Sequence, residues 1–409
     1  MALFLLLRFV RNASVNLSKM ILTEKINFRS VFLSILPIFF VSCTMWPALT
    51  LLVSDDKSEN SNISGALTLM LLSQIPKETP NLMYVANLNS NTVTFFNAKT
   101  GAYLNGTLAN SSFTTPASPD FVAVNPTANI LYVSSQASST VTYFNAKTGA
   151  YINGTLASST FTTGLGPYSI GVNPNANLIY VSNTLDGTVT YFNATTGAYR
   201  NGTLSNSTVA TSGNTPQAVA VDPATDRMYI TNFDLDDVAF YNASTATVTV
   251  SSPTESGPTS IAINPSANLL YVGNNAGNSV TFYNATNATY INGTVTNSSL
   301  PVGTGPVSIA VNPTANILYA ANQTSETLTL NNATTGAYIN GTLANSSFPT
   351  GSVPTGVSVN PIHNLVYVTN SASATVTFYN ALTGAYLNGT LANSSFTTGN
   401  GPSSVVVNP

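Results

Sequence analysis

The chain offers three places where side chains could do chemistry: one histidine, one cysteine and one cluster of aspartates. His363, the only histidine, lies in Asn360-Pro-Ile-His-Asn364. A single imidazole lacks the companion ligands that a zinc site needs, so a locally hydrogen-bonded loop residue is expected there. Asp234, Asp236 and Asp237 crowd into Asn232-Phe-Asp-Leu-Asp-Asp237, the sharpest acidic cluster in the second half of the chain. Hard carboxylate oxygens suit calcium, but the spacing matches no EF-hand loop, and a solvated turn explains it as well. Asp186 and Asp226 fall elsewhere and recur at no common position. No nucleophile, base and orienting group can be assembled, and the expectation is no catalytic residue, no metal and no cofactor.

Cys43 is the only cysteine, which removes any intrachain disulfide framework. It follows a signal-like stretch. Lys25 and Arg29 supply a basic region, and Val31 to Val41 is an apolar run too short for a membrane span. Residues 1–42 are therefore read as a signal peptide, with Met20 as an alternative start. The ending Phe40-Val41-Ser42-Cys43 resembles the lipobox of bacterial lipoproteins, although Phe40 stands where Leu is usual. That resemblance implies lipidation at Cys43, a membrane held through the lipid, and a place in the cell envelope, at the outer membrane or cell surface. The competing reading is a buried free cysteine at the end of an uncleaved anchor helix. Residues 43–79 would form a tether, because Asp55-Asp56-Lys57-Ser58-Glu59-Asn60 is too polar to bury itself. Ala66 to Ile75 is apolar enough to pack under the following domain or touch the membrane instead.

Only 6% of the 409 residues are charged while 44% are hydrophobic, and the net charge is −3. Beyond Pro80 the basic residues are Lys99, Lys147, Arg200 and Arg227, against nine acids. No basic stripe exists to hold a phosphate backbone, which excludes nucleic acid as a partner.

Internal repetition sets the fold. Tyr followed by a small apolar residue recurs at Tyr84, Tyr132, Tyr180, Tyr229, Tyr271, Tyr319 and Tyr367, with one interval of 42 and the others of 48 or 49. Asn-Pro or Asp-Pro recurs seven times, from Asn125 to Asn408. Each period holds four short β-rich segments, as in Ser169–Asn173, Leu178–Ser182, Thr188–Phe192 and Ala198–Leu204, punctuated by turn residues. This predicts an all-β, seven-bladed β-propeller of four-stranded blades over residues 80–409. The second segment, continuously apolar in Ile130-Leu-Tyr-Val133, should be buried on both faces. The fourth, Tyr-x-Asn-Gly-Thr-Leu, should form the outer edge, with Asn105, Asn153, Asn201, Asn292, Asn340 and Asn388 in tight turns. The short repeat between Tyr229 and Tyr271 lacks that stretch. The repeats begin with a second strand and end with a first strand, Pro402 to Val407, so the carboxyl terminus should close the ring beside Leu82 to Ala86.

Tyr367-Val-Thr-Asn370, with the variants at Tyr84, Tyr180, Tyr229 and Tyr271, resembles the hallmark of the YVTN family of β-propeller repeats. The preceding Gly305-Pro306 and Val311-Asn312-Pro313 are similar to that family too, while Tyr132-Val-Ser-Ser and Tyr319-Ala-Ala-Asn depart from it slightly. The resemblance implies surface-layer and envelope proteins. Asn-x-Ser/Thr triplets such as Asn105-Gly-Thr and Asn110-Ser-Ser fit either a repeated Asn/Thr-rich segment or, outside bacteria, glycosylation.

Export, low charge and repetition without a reactive cluster favour a non-enzymatic envelope module that binds or displays a protein or glycan partner. The alternatives are a propeller enzyme of lactonase type, whose metal would sit in the central channel, and a structural coat component.

Overall fold

The computed structural model describes residues 81–408. The signal, the tether and Cys43 lie outside the described residues. Twenty-eight strands form seven four-stranded antiparallel sheets, the seven blades of a propeller.

Blade 1 shows how the ring closes. β1 (Leu82–Asn87) pairs with β2 (Thr92–Asn97) on one side and with β28 (Pro402–Asn408) on the other, with Leu82 opposite Asn408 and Tyr84 opposite Val406. The first blade therefore borrows its innermost strand from the end of the chain, as the order of the repeats predicts. The other innermost strands are β4 (Pro119–Asn125), β8 (Pro167–Asn173), β12 (Pro216–Asp222), β16 (Pro258–Asn264), β20 (Pro306–Asn312) and β24 (Pro354–Asn360).

The core is divided among the seven junctions between blades. One apolar cluster joins Leu82, Tyr84 and Phe95 of blade 1 to Val122, Leu131 and Phe144 of blade 2, and six further clusters fill the remaining junctions. Second strands are buried along their whole length, as in β1 and β5 (Ile130–Ser135), because each is covered on both faces by a neighbouring blade.

The repeated tyrosines gain a specific role from this packing. Tyr84 donates its hydroxyl to the carbonyl of Ala146 at 2.7 Å, and Tyr132, Tyr229, Tyr271, Tyr319 and Tyr367 repeat the bond to Ala194, Ala285, Ala333, Ala381 and Ala98 of the next blade. The final asparagine of the tetrapeptide works within its own blade. Asn370 donates through Nδ2 to the hydroxyls of Thr375 and Thr377, at 3.2 and 2.9 Å. Tyr and Asn of the tetrapeptide are thus devices for holding a propeller together.

The outer edge differs from expectation. Tyr-x-Asn-Gly-Thr-Leu is not a strand: Tyr103 makes a single bridge to Phe96, the chain turns at Gly106 with φ 81°, and a short 3-10 turn follows. The fourth strand comes afterwards and has only three residues, as in β3 (Ser112–Thr114). The stretch instead fastens blades together. Tyr103 donates to the carbonyl of Thr397 in the preceding blade, and Tyr151 and Tyr199 do the same to Thr114 and Thr162. Gly101 lies against the Phe396 ring so closely that any side chain would collide with it. In the short fourth blade, where the stretch is missing, β15 (Thr247–Pro253) runs seven residues along its partner. There Arg200 and Arg227 bridge to the neighbouring blades, the first through the carbonyl of Ser244 and the second through those of Ala285 and Thr286.

Candidate functional site

The innermost strands enclose a central cavity of about 120 Å³, lined by residues of all seven, enough for several waters. Most of these strands begin with a β-bulge. In β4 the register shifts between Pro119 and Phe121, in β16 between Pro258 and Ser260, in β20 between Pro306 and Ser308, and in β24 between Pro354 and Gly356. A bulge leaves one residue out of the ladder and re-aims its side chain. The residue after the opening proline is that residue, and in blade order it is Ser403, Asp120, Tyr168, Gln217, Thr259, Val307 and Thr355.

Between blades the innermost strands are tied by serines one position further on. Ser404 accepts from the backbone N–H of Val122, Ser169 from that of Val219 and Ser308 from that of Val357. Ser260 breaks the pattern: its hydroxyl turns over Gly273, where other blades carry a side chain, and is buried without a hydrogen-bond partner.

Asp120 is the one charged group among the residues lining the cavity. No donor of the described residues bonds to its carboxylate. Although part of its surface still meets the channel, crowding by protein raises its pKa to about 7, because burial disfavours the ionised form. On the adjacent blade, burial and then the Asp120 charge push the phenol of Tyr168 up to about 12. At neutral pH this pair combines a carboxyl poised to take or give a proton with a phenol that stays protonated.

The candidates read from sequence are not brought together here. Asp234 accepts hydrogen bonds from the backbone N–H groups of Asn214 and Thr215 and from the Thr215 hydroxyl, which hold its carboxyl below the usual range despite some burial. Asp236 accepts from the Gly257 N–H at 2.7 Å, and Asp237 from Asn232 Nδ2 at 2.6 Å. The three carboxylates point to separate partners and shape turns. His363 donates its backbone N–H to Asn360 Oδ1 in a local turn. Asp120 stands apart from every candidate that the sequence offers. Its signal is visible only when the seven repeats are aligned on the proline that opens the first strand: in that column it is the single charge.

A divalent cation of the kind expected in a lactonase channel is a poor match for these residues. A protein calcium site takes six to eight oxygens, usually with several carboxylates, and magnesium takes one or two carboxylates with several waters. The channel supplies one carboxylate, and the described residues contain no group of three or more His, Cys, Asp or Glu able to converge on a metal.

Fold and cavity define a seven-bladed propeller with a central channel that holds a single carboxyl. The family described as "Lactonase, 7-bladed beta-propeller" matches residues 146–338, just under half of the chain. Among solved structures, a candidate 6-phosphogluconolactonase of Bacteroides fragilis is similar at 17% identity and a TM-score of 0.62, covering 81% of this chain and 99% of that one. A second candidate 6-phosphogluconolactonase, from Bacteroides uniformis, gives 16% identity and a TM-score of 0.60 over 80% and 99%. A functionally unknown protein from Desulfotomaculum acetoxidans gives 13% and 0.61 over 80% and 98%. At these identities the structural likenesses show the fold. No curated protein matches the sequence.

Two expectations are corrected by these findings. The matching family is that of seven-bladed lactonases rather than YVTN repeats, and the tetrapeptide misleads because its Tyr and Asn serve blade packing. The expectation of a protein that is no enzyme is overturned by the same match, which favours the lactonase-type alternative over a binding or display module. Clusters along the chain carry no site here, whereas the ring brings together residues about 48 apart, such as Asp120 and Tyr168.

Proposed function

We propose that the chain is a lactone hydrolase working in the central channel. The observation that carries this reading is Asp120: a lone carboxyl with its pKa raised to about 7, beside the protonated phenol of Tyr168, in the cavity of a propeller that resembles the lactonase family. In the proposed reaction ionised Asp120 takes a proton from water as that water attacks the lactone carbonyl carbon. Tyr168 donates a hydrogen bond to the carbonyl oxygen as negative charge builds there. The ring C–O bond then breaks as the carbonyl re-forms, the Asp120 proton passes to the departing ring oxygen, and the product is a hydroxy acid with the Asp120 carboxylate restored.

As a cell-envelope protein it would be held through lipid on Cys43, the placement that the lipobox-like ending implies. The test is proton release on offering γ- and δ-lactones to the purified protein beside Asp120→Asn. Hydrolysis above the buffer rate that the variant loses supports the proposal; equal rates for protein and buffer across the panel sink it.

A further inference from the structure

Charge is sorted between the two ends of the propeller. The innermost strands start at one end, and there the pairing of Pro167 with Asn183 sets the turn between second and third strands beside the channel mouth. The backbone bonds Thr184 to Gly166 and Leu185 to Leu165 hold that turn in place. Asp186, Asp234, Asp236 and Glu326 lie in these turns, Asp237 starts a third strand at the same level, and Glu255 lies in the loop leading into β16. With Asp120 in the channel, this end carries seven of the nine acids of the described residues.

Every Lys, Arg and His of the described residues is at the other end. Lys99 and Lys147 follow third strands, His363 is in the turn after β24, and the guanidiniums of Arg200 and Arg227 reach carbonyls beyond the third strands of blades 4 and 5. The ring position inside the channel likewise holds one acid and no base. A cleft bordered by one sign of charge focuses that sign's field on whatever enters.

We propose that the channel selects an uncharged lactone and disfavours a phosphorylated one, because Asp120 and an acidic mouth repel an anion that no cation is placed to hold. This rests on the lactone-hydrolase reading above. A phosphate dianion needs Arg, Lys or a row of backbone N–H groups to offset its lost hydration. The bulge residues Thr259, Thr355 and Ser403 donate their hydroxyls to the carbonyls of Pro306, Pro402 and Pro119 in the next blade, which leaves their oxygens to accept from the O–H groups of a neutral polyol ring.

The experiment compares kcat/KM for glucono-δ-lactone and its 6-phosphate at low and high salt. Preference for the uncharged substrate by at least about tenfold at low salt is expected, narrowing as salt screens the field. Val307→Arg, which puts a cation at the ring position, should narrow it further. Equal use, or preference for the phosphorylated lactone at low salt, overturns the inference while leaving the lactonase reading intact. Should neither of these two lactones open, the wider panel of γ- and δ-lactones decides the lactonase reading, and calorimetry with 1,5-anhydroglucitol and its 6-phosphate decides the charge question. Binding of the neutral ring alone supports it; tighter binding of the phosphate, or binding of neither, overturns it.

Discussion

Asp120 and Tyr168 occupy the same bulge position on neighbouring innermost strands, β4 and β8, and the carboxylate's charge adds to burial in holding the phenol up to about 12. Across the other five blades the equivalent position is Gln, Thr, Val, Thr and Ser. One blade junction is therefore chemically unlike the rest, and the functional predictions start from it.

If Asp120 is the base, kcat/KM for an uncharged lactone rises with pH through about 7 and levels off above it, since only the ionised form accepts a proton. Asp120→Asn should lower it by about 10²- to 10⁴-fold and flatten the profile. Tyr168→Phe should lower kcat with a smaller change in KM, as expected for a bond that strengthens when charge builds on the carbonyl oxygen. Steady-state kinetics from pH 5 to 9 check all three.

Asp120 also predicts a pH-dependent cost in stability. Its folded pKa lies above the unfolded value of 3.8, so the folded chain binds the proton more tightly. The cost is absent below about pH 4, grows as pH rises towards 7, and is complete above it. Asp120→Asn should then stabilise the protein by about 1–2 kcal/mol at pH 8 after allowance for water in the channel, and by little at pH 4. Thermal melts of both proteins at the two pH values measure this, and an equal shift at both would contradict the burial argument.

The blade tyrosines provide an internal control. Tyr367→Phe removes the bond to the carbonyl of Ala98 across the closing junction and should cost about 1–3 kcal/mol in denaturant unfolding, because a buried acceptor is left unpaired. Tyr180 is equally repeated in sequence but its hydroxyl has no partner next to the short fourth blade. Tyr180→Phe should be close to neutral.

Removing residues 402–409 deletes β28 and leaves the β1 edge open. The expected result is loss of cooperative unfolding and concentration-dependent association seen by light scattering, since an unpaired strand edge templates pairing with other chains. A soluble monomer with an unchanged melt would show that ring closure contributes little.

For the proposed anchoring, intact mass and membrane partitioning of the full chain beside Cys43→Ala should show a lipid mass and membrane retention in the first and neither in the second. Retention of both proteins by the membrane points to an uncleaved helix instead.

The sequence by itself determined the number of blades, their four-strand rhythm and the way the ends meet. Those features depend on local periodicity and turn chemistry, as with Asn-Pro after each first strand and the continuous apolar run around Tyr132. It misplaced the fourth strand because Tyr-x-Asn-Gly-Thr-Leu has strand-like composition, while the tertiary structure spends its tyrosine on a bond to the neighbouring blade. It drew attention to Asp234, Asp236 and Asp237, which are adjacent along the chain but serve separate turns. Along the chain Asp120 is one isolated acid. Closing the ring and bulging the start of its strand placed it in the central cavity, beside Tyr168 and with every described cation at the far end, because residues a full repeat apart become neighbours only when the blades pack around one axis.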